Sequence, residues 1–231
     1  METSTPNGLT VAVDGPSGSG KSSTSKGVAK ALGLRYLDTG AMYRALTWWF
    51  MDQRADTTDS GAVAANAGRP RLEVSTDPDD PWTRVDGRDV SEEIRTREVS
   101  QQVSLVSRVP AVRERLIALQ RGIIAGAEPG IVAEGRDIGT VVAPDAVLKV
   151  FLTADSDARA RRRAAERGAE VDTTEADQAR RDRLDAAQSA KADDAVLLDA
   201  TDLTLDEVIQ KIATLARERS ALACTGDAGA R

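Results

Sequence analysis

No histidine occurs anywhere in the 231 residues. That absence removes His-based nucleophile triads and every metal site built on imidazole. The single cysteine, Cys224, has no partner for an internal disulfide. No apolar run approaches the roughly 20 residues that a bilayer-crossing helix needs. Met1 to Gly8 is short and polar, without the basic and apolar regions of a secretory leader, and Ala221 to Arg231 is small and polar like a frayed tail. A cytoplasmic protein with no membrane association is expected.

Charge excludes a further class. With 31 basic and 37 acidic residues the formal net charge is −6, so the averaged field repels long polyanions and a nucleic-acid partner is not expected. Local basic clusters then need a local reason. Arginines crowd the stretch from Arg159 to Arg167 and recur at Arg180, Arg181 and Arg183, a pattern suited to small anions.

Against these absences stands one strong motif. Gly15-Pro16-Ser17-Gly18-Ser19-Gly20-Lys21-Ser22, directly behind the apolar stretch Leu9 to Val13, fits G-x-x-x-x-G-K-[ST]. Glycines let the backbone curl around a phosphate with its N–H groups inward, Lys21 adds a charge for the β and γ phosphates, and the Ser22 hydroxyl suits Mg²⁺. A strand-like segment precedes the loop, and a helix-compatible segment follows with its N-terminal dipole favouring anions. An ATP site over Gly15, Pro16, Ser17, Gly18, Ser19, Gly20, Lys21, Ser22 and Ser23 is therefore expected.

The rest of the chain alternates strand and helix signals, which predicts a three-layer α/β P-loop fold with a five-stranded parallel sheet and helices on both faces. The strands are expected at Thr10–Asp14, Arg35–Leu37, Gly130–Glu134, Val147–Leu152 and Ala195–Leu198, short and apolar because a parallel sheet buries both faces. Helices are expected at Lys21–Leu32, Ala41–Met51, Glu98–Ser107, Ala111–Ala125, Asp157–Arg167, Glu175–Gln188 and Leu205–Arg217, with Ser156 and Thr204 as N-caps. Between Arg71 and Val90 the alternation breaks into a small antiparallel insert, with a Pro/Asp turn at 77–81 and an Asp86-Gly87 hairpin signal. The apolar run Trp48-Trp49-Phe50 is expected to serve as packing, not as a stacking platform.

A P-loop alone does not separate kinases from GTPases or motors. The Asn-Lys-x-Asp guanine-reading motif is absent, and the short arginine-rich chain favours phosphoryl transfer to a small acceptor. Such transfer spreads negative charge over the equatorial oxygens of the moving group, which demands cationic donors. Arginine offers bidentate, non-titrating contacts to phosphate. A phosphate oxygen as the attacking group needs no histidine base.

The chain resembles the bacterial cytidylate kinases along nearly its whole length. Four ordered segments carry the resemblance: Val13 to Lys21, Leu37-Asp38-Thr39-Gly40-Ala41-Met42-Tyr43-Arg44, Val85 to Val90 with Glu93-Ile94-Arg95-Thr96, and Ala133-Glu134-Gly135-Arg136-Asp137-Ile138-Gly139-Thr140-Val141-Val142. The resemblance implies the nucleoside monophosphate kinase fold and transfer of the γ-phosphate of ATP, with Mg²⁺, to CMP or dCMP. It divides the chain into a core (9–67, 98–156 and 190–220), an acceptor-binding insert (68–97) and a lid (157–189), with tails at 1–8 and 221–231, and a monomer is expected.

Carried over by position, the resemblance implies a CMP site of Thr39, Tyr43, Arg44, Ser104, Arg113, Arg136, Asp137, Arg181 and Asp185. Arg44 and Arg136 would grip the acceptor phosphate, Ser104, Arg113 and Asp137 would read the base, and Arg181 with Asp185 would hold the sugar. Lys21, Arg136, Arg162 and Arg181 would act in the transfer, and Arg159 and Arg163 would clasp ATP from the lid. Glu134, at a strand end, is open to two readings: it orients Mg²⁺ through water, or it is a buried structural acid.

One departure from the family pattern touches the transfer site. Where the family carries Ser-x-Arg after this aspartate and continues to Pro-Leu, this chain reads Asp185-Ala186-Ala187-Gln188-Ser189-Ala190-Lys191 and is several residues shorter. Gln188 stands where a phosphate-touching arginine is expected, so Lys191 or a neighbouring arginine would have to reach the same spot. The rival functions are a kinase of another small acceptor such as UMP or AMP, and a non-catalytic nucleotide-binding protein.

Overall fold

The computed structural model describes residues 8–159 and 189–227. Its centre is a parallel sheet of β1 (Leu9–Asp14), β2 (Arg35–Asp38), β6 (Gly130–Gly135), β7 (Leu148–Thr153) and β8 (Val196–Asp199), in the order β2-β6-β1-β7-β8. Each expected strand is present within one or two residues of its predicted ends. β1 lies between β6 and β7, with Ala12 opposite Ala133 on one side and Lys149 on the other.

Side-chain alternation along the strands builds two cores. Ala12, Ile131 and Ala133 face one layer. Val11, Val13 and Val132 face the other. The first layer holds α2 (Thr39–Asp52) and α5 (Pro110–Ala125), through Met42, Leu46, Val112 and Leu116. The second holds α1 (Lys21–Leu32) and α6 (Leu205–Asp227), through Val28, Ala29, Val208 and Ile212. The inner strands β1 and β6 are covered on both faces and largely apolar, whereas the edge strand β8 leaves Leu197 60% exposed. α1 approaches α6 so closely that a Cβ on Gly27 would fall 2.1 Å from the Ile209 side chain.

Between α3 (Ser60–Asn66) and α4 (Arg97–Val106) stands the antiparallel insert of β3 (Leu72–Val74), β4 (Thr83–Val85) and β5 (Arg88–Asp89). Its hairpin turns at Asp86 and Gly87, with φ of 52° and 82°, the pair of positive values that a two-residue turn matched to strand twist requires. Leu72, Val85, Val90 and Ile94 join the α2 core. Trp49 and Phe50 are buried there, Trp49 Nε1 donates to Asp86 at 3.2 Å, and the Arg88 guanidinium lies 4.9 Å from the Trp48 ring. The aromatic run is therefore packing. The Tyr36 N–H donates to the Thr76 carbonyl at 2.9 Å, which ties the insert's loop to the free edge of β2.

Local capping explains where the helices differ from expectation. α2 starts at Thr39 because the Asp38 carboxylate accepts from the Ala41 N–H at 2.9 Å. The unpredicted α3 is capped by Asp59, whose carboxylate accepts from the N–H groups of Gly61 and Ala62. After β7 the cap is Asp155, which accepts from the Ala158 N–H at 2.6 Å, and Ser156 is already helical. Asp and Ser cap about equally well, and the geometry seats the carboxylate, one residue earlier, on the Ala158 N–H. Thr204 caps α6 as expected, in a reciprocal box in which Glu207 accepts from the Thr204 N–H at 2.8 Å. α6 then runs past its expected end at Arg217, to Asp227. Of the expected helix 157–167 only residues 157–159 are described, and they are helical; the expected helix 175–188 lies outside the described residues. Among the described residues no helix is long and apolar enough to cross a membrane.

Candidate active site

The C-terminal ends of β1, β2, β6 and β7 converge, the position at which open parallel sheets hold ligands. β1 delivers the loop Gly15–Gly20. Gly15, Gly18 and Gly20 have φ of 151°, 78° and 88°, and a Cβ on Gly15 would fall 2.1 Å from the Leu152 carbonyl oxygen. Only glycine lets the loop close over the end of β7 this way.

Three cations meet this loop from three elements. Lys21, at the start of α1, donates to the Pro16 carbonyl at 2.7 Å. Arg136, just past β6, donates to the Gly15 carbonyl at 3.4 Å. Arg159, just past β7, donates to the Ser17 carbonyl at 3.2 Å. Burial, and after it the Arg136 charge, pull the Lys21 ammonium below its ordinary range, while Glu134, Asp14 and Asp38 pull it back. A cluster of this kind is held ready for an anion that restores the lysine charge.

Behind the cations lies Glu134, 3% exposed. Its carboxylate accepts from the Ser22 hydroxyl at 3.1 Å and from the Tyr36 hydroxyl, and its carbonyl accepts from the Thr39 hydroxyl at 2.7 Å. Burial, with Asp38 nearby, raises the Glu134 carboxyl above the usual carboxylate range. Asp14, also buried, accepts from the Ile138 and Gly139 N–H groups, each at 2.8 Å. It thereby fixes the helical turn Ile138–Val142 that follows Asp137.

The other half of the site opens toward α2, α4 and α5. Arg44 donates to the Ile94 carbonyl at 3.2 Å and the Ser100 hydroxyl at 2.8 Å. Arg113, on α5, forms an ion pair with Asp137, in which Asp137 is buried and Arg113 partly exposed. Ser104 is buried on α4. Burial raises the Tyr43 phenol to about 12, with the Arg113 and Asp137 charges close by.

Of the predicted residues, Thr39 and Arg136 border the P-loop cluster, and Tyr43 lies near the Arg113–Asp137 pair. The predicted residues Arg162, Arg163, Arg181 and Asp185, together with Gln188, lie outside the described residues. Lys191 donates to the carbonyls of Ala192 and Ala195. Sequence reasoning missed Tyr36, Asp14 and Gln120. Asp14 and Tyr36 stand in or beside quoted motifs, so a polar residue on a buried strand was the available signal; Gln120, inside an apolar helix stripe, was the third.

The model of the cytidylate kinase family matches residues 11–218. The chain belongs to the cytidylate kinase family. It is 55% identical over 216 residues to the cytidylate kinase of Streptomyces avermitilis, covering 91% of this chain and 94% of that one. A cytidylate kinase of Corynebacterium glutamicum is 47% identical over 214 residues, covering 89% and 93%. A gluconokinase structure from Sinorhizobium meliloti shares the fold at a TM-score of 0.50 with 16% identity, covering 95% of this chain and 97% of that one.

The donor set fits Mg²⁺. Ser22 and Glu134 offer hard oxygens side by side, and among the described residues no cluster of three metal-ligating side chains exists. Mg²⁺ usually keeps several waters and relies on one or two protein oxygens plus substrate phosphates.

Proposed function

We propose that this cytidylate kinase transfers the γ-phosphate of ATP to CMP or dCMP through the residues gathered at the P-loop and the adjoining hollow. What carries the reading is the convergence of Lys21, Arg136 and Arg159 on one loop, together with a part-buried Arg113–Asp137 pair next in sequence to Arg136. The loop N–H groups and Lys21 receive the ATP phosphates. Arg136 lies between the two halves and answers charge shared by donor and acceptor. Arg44, held by a backbone carbonyl and a serine hydroxyl, offers a guanidinium suited to bidentate contact with the acceptor phosphate.

Base selection follows from the paired charges. In the free protein Arg113 and Asp137 satisfy each other. A cytosine replaces both partners at once: its exocyclic amine donates to the Asp137 carboxylate, and its ring nitrogen and carbonyl accept from Arg113 and Ser104. Uracil puts a carbonyl where the amine was, and two acceptors then face each other.

The acceptor phosphate is its own nucleophile, so these residues hold charge and geometry without abstracting a proton. When bound, Mg²⁺ neutralises charge on the transferring phosphate; Ser22 and Glu134 are the side chains to orient it and its waters. The insert and the lid, 157–189, close to keep water from ATP. Among the described residues Lys191 is tethered to carbonyls of its own loop, weak anchors that a phosphate outcompetes, and it covers the charge missing at Gln188. The enzyme works as a cytoplasmic monomer.

ADP production from ATP and Mg²⁺, with CMP, dCMP, UMP and AMP supplied separately, tests the reading. Turnover concentrated on CMP and dCMP is expected; equal turnover with UMP or AMP overturns the assigned base selection, and none with any acceptor leaves a nucleotide-binding protein.

A further inference from the structure

Gln120 is 1% exposed on the face of α5 that also carries Arg113 and Leu116, at a spacing of seven and four residues that puts all three on one stripe. Its amide sits against the Tyr43 hydroxyl. Yet neither that hydroxyl nor the amide nitrogen has a hydrogen bond of proper geometry within the protein.

A buried amide and a buried phenol that meet each other only in poor geometry leave hydrogen-bonding capacity unused, which is costly in a protein interior. Native cores rarely keep such groups. An apolar residue of the same length would fill the position at no such cost, so the pair needs a use that the free protein does not display. The use is close by, because the Tyr43 hydroxyl lies within the influence of the Arg113 and Asp137 charges.

We propose that Tyr43 and Gln120 form one polar subsite of the acceptor site, and that Gln120 is a further acceptor-binding residue. The subsite supplies a donor to the lone pair of the base carbonyl that Arg113 and Ser104 leave open, so that hydrogen-bonding capacity unused in the free protein is taken up on binding. An acceptor base makes these bonds, whereas ATP does not reach them. The inference rests on the acceptor-site assignment made above.

Gln120→Met, close in length and apolar, and Tyr43→Phe are the informative variants, in the full chain. Calorimetric CMP affinity, KM and kcat for CMP, KM for ATP, and melting without nucleotide are measured. Expected is about a tenfold loss of CMP affinity in Gln120→Met, the size of one well-placed hydrogen bond. KM for CMP rises more than kcat falls, KM for ATP holds, and the melting temperature without nucleotide stays equal or rises. The double variant binds CMP no more weakly than the worse single, because the two groups act as one subsite.

A fall in melting temperature with unchanged CMP affinity overturns the proposal and makes Gln120 a structural residue. Because CMP binding is read directly, a wild type that binds CMP without turnover defeats the functional reading and still lets the affinities judge this one.

Discussion

The Tyr36 hydroxyl donates to the Glu134 carboxylate across 98 residues of sequence, and the opposite oxygen of that carboxylate accepts from Ser22 of the phosphate loop. An edge strand, a central strand and the start of α1 are thereby joined at one buried acid. The phenol holds the carboxylate in a single orientation, facing the P-loop. Tyr36 is a positioning residue in this arrangement, acting through Glu134.

Replacing Tyr36 with Phe removes the bond and keeps the ring. A loss of about 1.5–3 kcal/mol is expected, as for hydrogen bonds to charged groups, measured by urea unfolding. The same variant should need more Mg²⁺ for half-maximal turnover while KM for CMP stays put. Unaltered Mg²⁺ demand would reduce Tyr36 to a packing role.

Gly15→Ala meets the Leu152 carbonyl at 2.1 Å and a φ of 151°. Loop or strand must shift, so about 2–4 kcal/mol of stability is expected to go. ATP affinity should fall with it, and a calorimetric titration with ATP checks both the sign and the separation from CMP binding.

Asp14 provides a pH signature. Burial lifts its carboxyl above the ordinary value of 3.8 despite two N–H donors. From that value upward, until the folded carboxyl itself ionises, the folded state keeps a proton that the unfolded chain has lost. Stability therefore falls with rising pH across this window. Asp14→Asn lacks that component and leaves one of the two backbone N–H groups facing an amide, costing about 1–3 kcal/mol. Unfolding curves over a pH series should show a lower but flatter profile for the variant; a parallel profile would contradict it.

Lys191→Ala should lower kcat by about tenfold or more, the order expected when a cation leaves a phosphoryl-transfer site. Melting should not move, since among the described residues the ammonium holds its own loop. Turnover equal to wild type would mean that another arginine covers the gap at Gln188.

The sheet and most helices were legible because each rests on local signals: apolar runs of strand length, a glycine-rich phosphate loop, a Thr-x-x-Glu box before α6. α3 escaped because its seven residues, Ser60–Asn66, carry a single buried side chain, Val63, and so almost no periodicity. The cap after β7 was displaced by one residue because Asp155 and Ser156 are both good caps and only geometry chooses between them. The P-loop and Asp137 lie within contiguous motifs. By contrast, the bond from Tyr36 to Glu134, the seating of Asp14 on a turn 124 residues away and the Gln120–Tyr43 contact are long-range pairings, which no window of sequence contains.

The bond from Tyr36 to Thr76 also bears on solubility. A strand at the margin of a sheet presents unpaired backbone groups that recruit strands from other chains. At this margin the loop of the insert occupies part of that template. Any opening of the insert that breaks the bond would uncover β2, so the nucleotide-free open form should be the aggregation-prone one and acceptor binding should act as a chaperone for the edge.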